Sequence, residues 1–255
     1  MLIALTRAVP HSIASCELTH LVRQPIDYAV AVAQHDLYEA MLASLGCTVE
    51  RLPDEPGMPD SVFVEDTAII LDELAVMTRP GAESRRAEVA TAAAILGKYL
   101  PLRYMGPHGT LDGGDVLRLG RTLFVGLSGR TSDGGIKDLQ RLVEPHGYSV
   151  IRVVFNGCLH LKSAVTEIAP EVLLLNPDWV DARQFGAIDS IEVDAEEPGA
   201  GNALRIGDSV VCAAEFPRTV GKVERSGLAV RVVEAGELAK AEGGLTCGSL
   251  IVARP

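Results

Sequence analysis

Residues 68–78 read AIILDELAVMT, two apolar runs of β-forming residues broken by Asp72-Glu73. Two such runs on either side of a two-residue turn form an antiparallel hairpin. The device recurs. VLRL (116–119) and TLFV (122–125) flank Gly120-Arg121, and AVTEI (164–168) and EVLLL (171–175) meet at Ala169-Pro170. LRI (204–206) and SVVCA (209–213) flank Gly207-Asp208. Each hairpin is followed by a helical stretch and one more strand. These are predicted at 82–99 and 102–104, 134–146 and 149–154, 178–186 and 189–193, and 219–226 and 228–233. A fifth set has to be assembled from both ends of the chain. It joins SLIVA (249–253) to LIALT (2–6), with a helix over 27–45 stopped by Gly46 and a strand over 47–52.

The hairpins begin at 68, 116, 164, 204 and 249, spacings of 48, 48, 40 and 45 residues. Repetition at this period indicates an array or propeller. Two-residue turns join antiparallel strands, which argues against a purely parallel doubly wound sheet. The reading is an α/β protein, a pseudo-fivefold ring of ββαβ units. It forms one domain over 1–255, with one unit split between the termini. The length of 255 residues alone leaves open one domain or two, and no low-complexity linker divides the chain.

Hydrophobic residues make up 47% and charged residues 22%, a globular balance. The net charge of −11 argues against a nucleic-acid or anionic-membrane partner and suits a small cationic ligand. Five cysteines without a CxxC pair argue against a disulfide framework and for a reducing compartment. No segment approaches about 18 uncharged apolar residues, and the N-terminal apolar stretch is too short for a signal peptide. A cytoplasmic location is expected. The ring's outer face leaves room for a homodimer.

Just ahead of each hairpin stands a polar or reactive residue: Glu65-Asp66, Asp112, His160, Asn202 and Cys247. In a ring of equivalent units these positions converge at one end of the axis. Each also has an ordinary reading. Cys247 suits a buried small residue, and His160 a satisfied core histidine. Asp112 suits an Asx-turn, and Asp115 either such a turn or an outward acid. Glu65 and Asp66 suit solvated loop acids. Cys158, His160 and Cys247 together suggest zinc, but their spacing matches no common closed motif. No metal and no cofactor is expected.

Carboxylates around a thiol favour its neutral form. The arrangement makes sense if the substrate is itself a cation. A guanidinium is planar, carries several N–H donors and pairs with carboxylates. Cys247 is then the nucleophile toward the guanidinium carbon, and His160 protonates the leaving amine before activating water. Asp66 and Asp112 hold and orient the guanidinium. Arg85 and Arg130 follow hairpins in neighbouring units and suit a substrate carboxylate, though Arg85 beside Arg86 also reads as a solvated helix residue.

The strings FVEDTA, LDGGDV, GLSGRT, LHLKSAVTE, LLNPDW and LTCGSLIV, with LTRAVPHS near the start, resemble the dimethylarginine dimethylaminohydrolase family. That family lies in the pentein (amidinotransferase-like) superfamily, whose fold is a five-bladed α/β propeller of ββαβ units. The resemblance runs through the whole chain and implies hydrolysis of Nω-methylated arginines to citrulline and a methylamine. It implies a catalytic set of Cys247, His160 and Asp112, the last at a position that is Asp or Glu among relatives. It implies that Asp66 binds the guanidinium with Glu65 nearby, and that Asp60 and the backbone of Leu18 receive the α-amino group. Arg85 and Arg130 would take the α-carboxylate, Phe63 would line the pocket, and Ala241 would offer its backbone carbonyl. The loop around Leu18, Thr19 and His20 would act as a lid. An arginine deiminase-type hydrolase releasing ammonia and a non-catalytic binder of cationic amino acids remain the alternatives.

Overall fold

The computed structural model describes residues 1–253. Five three-stranded sheets make up its β-structure. In each, a first strand runs antiparallel to a middle strand, which runs parallel to a third. The first sheet in the ring has Ala68–Ile70, Ala75–Met77 and Leu102–Tyr104. The next two have Val116–Leu119, Thr122–Leu127 and Ser149–Val154, then Val165–Ala169, Val172–Leu175 and Asp189–Glu192. The fourth has Leu204–Ile206, Ser209–Ala213 and Ala229–Val233. In the fifth, Leu250–Ala253 pairs antiparallel with Leu2–Thr6, which lies parallel to Cys47–Arg51. The split unit is thus closed by strand pairing between the two ends of the chain.

The middle strands explain the apolar runs. Successive side chains on a strand point to opposite faces. Here the two faces feed different cores. Ala75 and Met77 pack with Ile3, Leu5 and Leu96, whereas Val76 packs with Val116, Val125 and Leu139. Leu123 and Val125 join that second core, while Phe124 joins a third with Leu173 and Leu175. Leu174 crosses to the core shared with Val210 and Cys212, and Val211 and Ala213 to the one shared with Ala4 and Leu42. Each sheet is buried on both faces between its neighbours, so its middle strand carries apolar residues on both faces, with Thr6, Thr122 and Ser209 confined to strand ends. Five inter-unit cores close the ring. Residues from all five first strands, among them Ile69, Val116, Thr166, Leu204 and Leu250, line one axial cavity.

Helices lie between middle and third strands. Tyr28–Ser44 starts at Asp27, whose side chain accepts from the Val30 amide, and ends ahead of Gly46 in the left-handed region (φ 88°). Asp133–Val143 is capped by Ser132, and Pro217–Arg225 starts on its proline. Three predicted elements differ. The stretch over 82–99 divides into a single turn, Glu83–Arg85, and a helix, Glu88–Leu96. In place of a helix over 178–186 there is one 3-10 turn, Ala182–Phe185, because Asp181 caps it and Gly186 (φ 88°) ends it. The third hairpin turns at Pro170-Glu171, with Glu171 left-handed at φ 59°, and Ala164 belongs to the turn before it. No helix of the described residues is long and apolar enough to cross a membrane.

Candidate active site

Each unit enters its first strand through a single helical turn. These turns are Val64–Thr67, Gly113–Asp115, Leu161–Ala164, Pro198–Gly201 and Thr246–Gly248. They carry or adjoin the residues expected to converge. Asp60, Phe63, Asp66, Arg85, Arg130, His160, Ala241 and Cys247 line one narrow pocket, together with Glu17, Leu159, Glu242 and Gly243. Of the residues expected to converge, Asp66, His160 and Cys247 meet in this pocket, while Glu65, Asp112 and Asn202 stand around it.

His160 is buried, with Nε2 3.0 Å from Asp112 Oδ2 and Nδ1 3.8 Å from Asp66 Oδ1. Burial works to lower its pKa, but Asp66, Asp112 and Asp115 outweigh it and hold the imidazole up at about 9. It is an imidazolium at neutral pH, poised as an acid. Gly114 permits this packing. A Cβ there would stand 2.6 Å from His160 Nδ1 and 2.8 Å from Asp66 Oδ1.

The Cys247 thiol is buried and pushed up by that burial, with Glu65 and Asp66 adding to the effect. The Gly244 amide donates to Sγ at 3.3 Å and opposes the shift. Without ligand the group is a thiol. Asp66 behaves oppositely. Burial favours its neutral form, but His160, Arg85 and the Gly114 amide prevail and bring it to about 2. Its Oδ2 accepts from Arg85 Nη1 at 2.5 Å and its Oδ1 from Gly114 at 2.9 Å.

Several expected residues stand differently from their simplest reading. Arg85 is no solvated helix residue: it is 4% exposed. It pairs with Asp66 and Glu88 and donates to the carbonyls of Phe63 and Asp60. Arg130 is half-buried and reaches Thr19 Oγ1 at 3.4 Å, so it is the freer cation at the pocket's outer end. Glu65 lies below the pocket, bonded to Lys162 Nζ at 2.5 Å and Thr246 Oγ1 at 2.8 Å. Asp112 stands behind His160, its other oxygen accepting from the Gly81 amide. Asp115 does not face outward. It is fully buried, accepts from Leu161 N and Ser128 Oγ, and is raised by burial to about 6.

The lid segment is tied down. Asp60 accepts from the Glu17 amide at 3.1 Å, and Leu18 packs against the core that contains Phe63 and Cys247. The amides of Thr19, His20 and Leu21 all donate to the Glu242 carboxylate, at 3.0, 2.5 and 2.6 Å. Glu242 holds a left-handed backbone, φ 61°. Sequence reading missed Glu242, because its role needs the lid folded onto it. It also missed Glu88, although a carboxylate three residues after Arg85 is a recognisable helical pairing.

Among the described residues, the His, Cys, Asp and Glu donors that gather within 4.8 Å of one another are Asp66, Asp112 and His160. Cys158 and Cys247 are not in that group, so the zinc set drawn from them does not assemble. A cation at the three donors would have to displace the imidazole proton and compete with Arg85 for Asp66.

A family model described as arginine deiminase matches residues 54–178. A curated dimethylarginine dimethylaminohydrolase of Streptomyces coelicolor is 36% identical over 97% of this chain and 95% of its own length. That of Pseudomonas aeruginosa is 34% identical over 88% of this chain and 89% of its own. Among solved structures, a Cys-to-Ser variant of the Pseudomonas aeruginosa enzyme complexed with citrulline superposes with a TM-score of 0.92. It shares 32% identity over 98% of both chains. The N-terminal domain of the cyanobacterial arginine dihydrolase ArgZ, bound to product, has a TM-score of 0.88 at 20% identity over 100% of this chain and 98% of its own, a likeness of fold alone. The fold is the five-bladed α/β propeller of the penteins, and this chain belongs to the dimethylarginine dimethylaminohydrolase family.

Proposed function

We propose that the protein hydrolyses Nω-methylated arginines, dimethylarginine and monomethylarginine, to citrulline and dimethylamine or methylamine. The observation that carries this is the meeting of buried His160 and Cys247 with Asp66 in one pocket walled by carboxylates, whose field holds the imidazole up and the thiol neutral. A protonated His160 cannot take the thiol proton, so Cys247 needs another route to the thiolate. A bound guanidinium supplies it, because a positive charge near Asp66 offsets the field that keeps the thiol neutral. The thiol proton leaves to solvent as substrate binds. The thiolate attacks the guanidinium carbon, and His160 gives its proton to the departing amine. The resulting thiouronium is attacked by water, whose proton returns to His160. The adduct then collapses to citrulline and the freed thiol.

Around this centre, Asp66 orients the guanidinium, and Phe63 and the Ala241 carbonyl border it. Asp112 fixes the imidazole from behind, and Glu65 acts through its field beneath Cys247. Asp60 and the Leu18 backbone receive the α-amino group. Arg130 receives the carboxylate, joined by Arg85 once it yields one of its protein acceptors. Presenting dimethylarginine, monomethylarginine, arginine and agmatine side by side, with product identification, tests the reading. Citrulline and dimethylamine from dimethylarginine are expected, with agmatine turned over least. Arginine turned over much faster than either methylated form would replace this reading with a deiminase.

A further inference from the structure

Between the segment that carries His160 and the loop that carries Cys247 lies a buried amide that takes no part in the steps above. Asn202 is 7% exposed and follows the Pro198–Gly201 turn of the fourth unit. Its Oδ1 accepts from the Thr246 amide at 3.0 Å. Its Nδ2 donates to the Lys162 carbonyl and to Thr246 Oγ1, each at 3.0 Å. Thr246 immediately precedes Cys247, and Lys162 lies two residues after His160. Thr246 Oγ1 passes its own proton on to Glu65 at 2.8 Å, so the hydroxyl both accepts and donates.

Packing adds an independent observation. A Cβ at Gly244 would stand 2.4 Å from Asn202 Cγ, so the nucleophile loop lies directly on the amide. Gly244 is also the residue whose N–H reaches Cys247 Sγ. The Asn202 amide therefore touches Gly244 and Thr246 within the 244–247 turn and the backbone beyond His160.

We propose that Asn202 is a positioning residue, clamping the Cys247 loop against the His160 segment so that thiol and imidazolium meet the same carbon. This rests on the reading of Cys247 as nucleophile and His160 as acid. The residue type follows from the contacts. The site requires one acceptor and two donors from a planar group, and among side chains of this length only asparagine offers both. Aspartate, with the same shape, would set an oxygen against the Lys162 carbonyl. Alanine would leave a buried N–H and a buried C=O unpaired, which is destabilising.

The test uses Asn202→Ala, the isosteric Asn202→Asp and the isosteric Thr246→Val, the last pair keeping the packing should alanine fail to fold. All are made in a Cys158→Ser background, so that Cys247 is the thiol followed at the site. Two readouts are taken: kcat and KM on dimethylarginine, and the pH dependence of Cys247 alkylation by iodoacetamide. Misplacement on the ångström scale is expected to lower kcat about 100-fold in Asn202→Ala and Asn202→Asp. KM should stay within about threefold, because the clamp acts on chemistry rather than on substrate contacts. The alkylation midpoint should rise in both as the Gly244 N–H loses its aim. Folded Asn202 variants with kcat within about threefold of the parent, or with an unmoved alkylation midpoint, overturn the proposal. Alkylation needs no substrate. It therefore judges Asn202 even if the parent protein fails to turn over dimethylarginine, which would instead remove the functional reading.

Discussion

Cys158 and Cys247 lie in two loops at the same end of the ring, and burial pushes both thiols up, Cys158 to about 12. Judged by ionisation alone, neither is a nucleophile. Their surroundings differ. Cys158 is half-buried and turns its S–H to the His160 carbonyl at 3.4 Å, with Asp115 adding to its shift. Cys247 accepts an N–H and shares a pocket with the imidazolium and Asp66. A depressed pKa in the free protein is therefore a poor marker of the reactive thiol here. What separates the two is whether a bound cation can reverse the field and whether an acid stands ready beside it.

The sharpest way to break the comparison is to exchange the thiols for hydroxyls one at a time. Cys247→Ser should lower kcat about 10⁴-fold or more, as losing a nucleophile does, while Cys158→Ser stays within about threefold. Equal losses in a steady-state assay would end the distinction. His160→Gln should cost about 10²–10⁴-fold in kcat through loss of the proton donor, with binding of an unreactive guanidino ligand retained in calorimetry. Loss of binding together with turnover would assign His160 to structure instead.

The charge on His160 gives a pH prediction with a definite sign. Its pKa rises from 6.5 to about 9 on folding. The stabilisation this brings is fully present below 6.5 and fades as pH rises through 9. Thermal unfolding should move to lower temperature across that window in the wild type and move less in His160→Gln. The same titration removes the acid, so kcat should fall above pH 9. A flat profile to higher pH would contradict the charged imidazole.

The smallest expected effect concerns the lid. Glu242→Ala deletes the acceptor of three backbone N–H groups from residues 19–21. Because the carboxylate is partly exposed, the expected change is about a tenfold rise in KM with kcat nearly unchanged. The Cys247 alkylation rate should rise in the same variant, and the Cys158 rate should not. A pure kcat effect would place Glu242 in the chemistry rather than in the lid.

The ring was legible because every middle strand is apolar on both faces and each of the four continuous hairpins has a short turn, both local features. The convergence of Asp66, Asp112, His160 and Cys247 was legible because equivalent places in a repeat occupy equivalent places in a ring. The helix expected over 178–186 was not, since a cap at Asp181 and a glycine five residues later leave room for one turn only. Asp115 read as a turn residue. Its burial depends on Leu161, which approaches it across the inter-unit packing, and on Ser128, which reaches it from the far end of its own hairpin.

The amino-acid order by itself determined how many units form, where they join and which reactive side chains face the axis, because strand periodicity and turn chemistry act over a few residues. Tertiary structure alone decided which of those side chains carry charge and which are free. His160 is an imidazolium because three carboxylates from two other units surround it in a buried space. Arg85 is engaged because Asp66 and Glu88 reach it first. Asn202 gained its place only when the fourth unit closed against the loop of the fifth. Desolvation and short-range electrostatics depend on distances across the ring, and separation along the chain does not encode those distances.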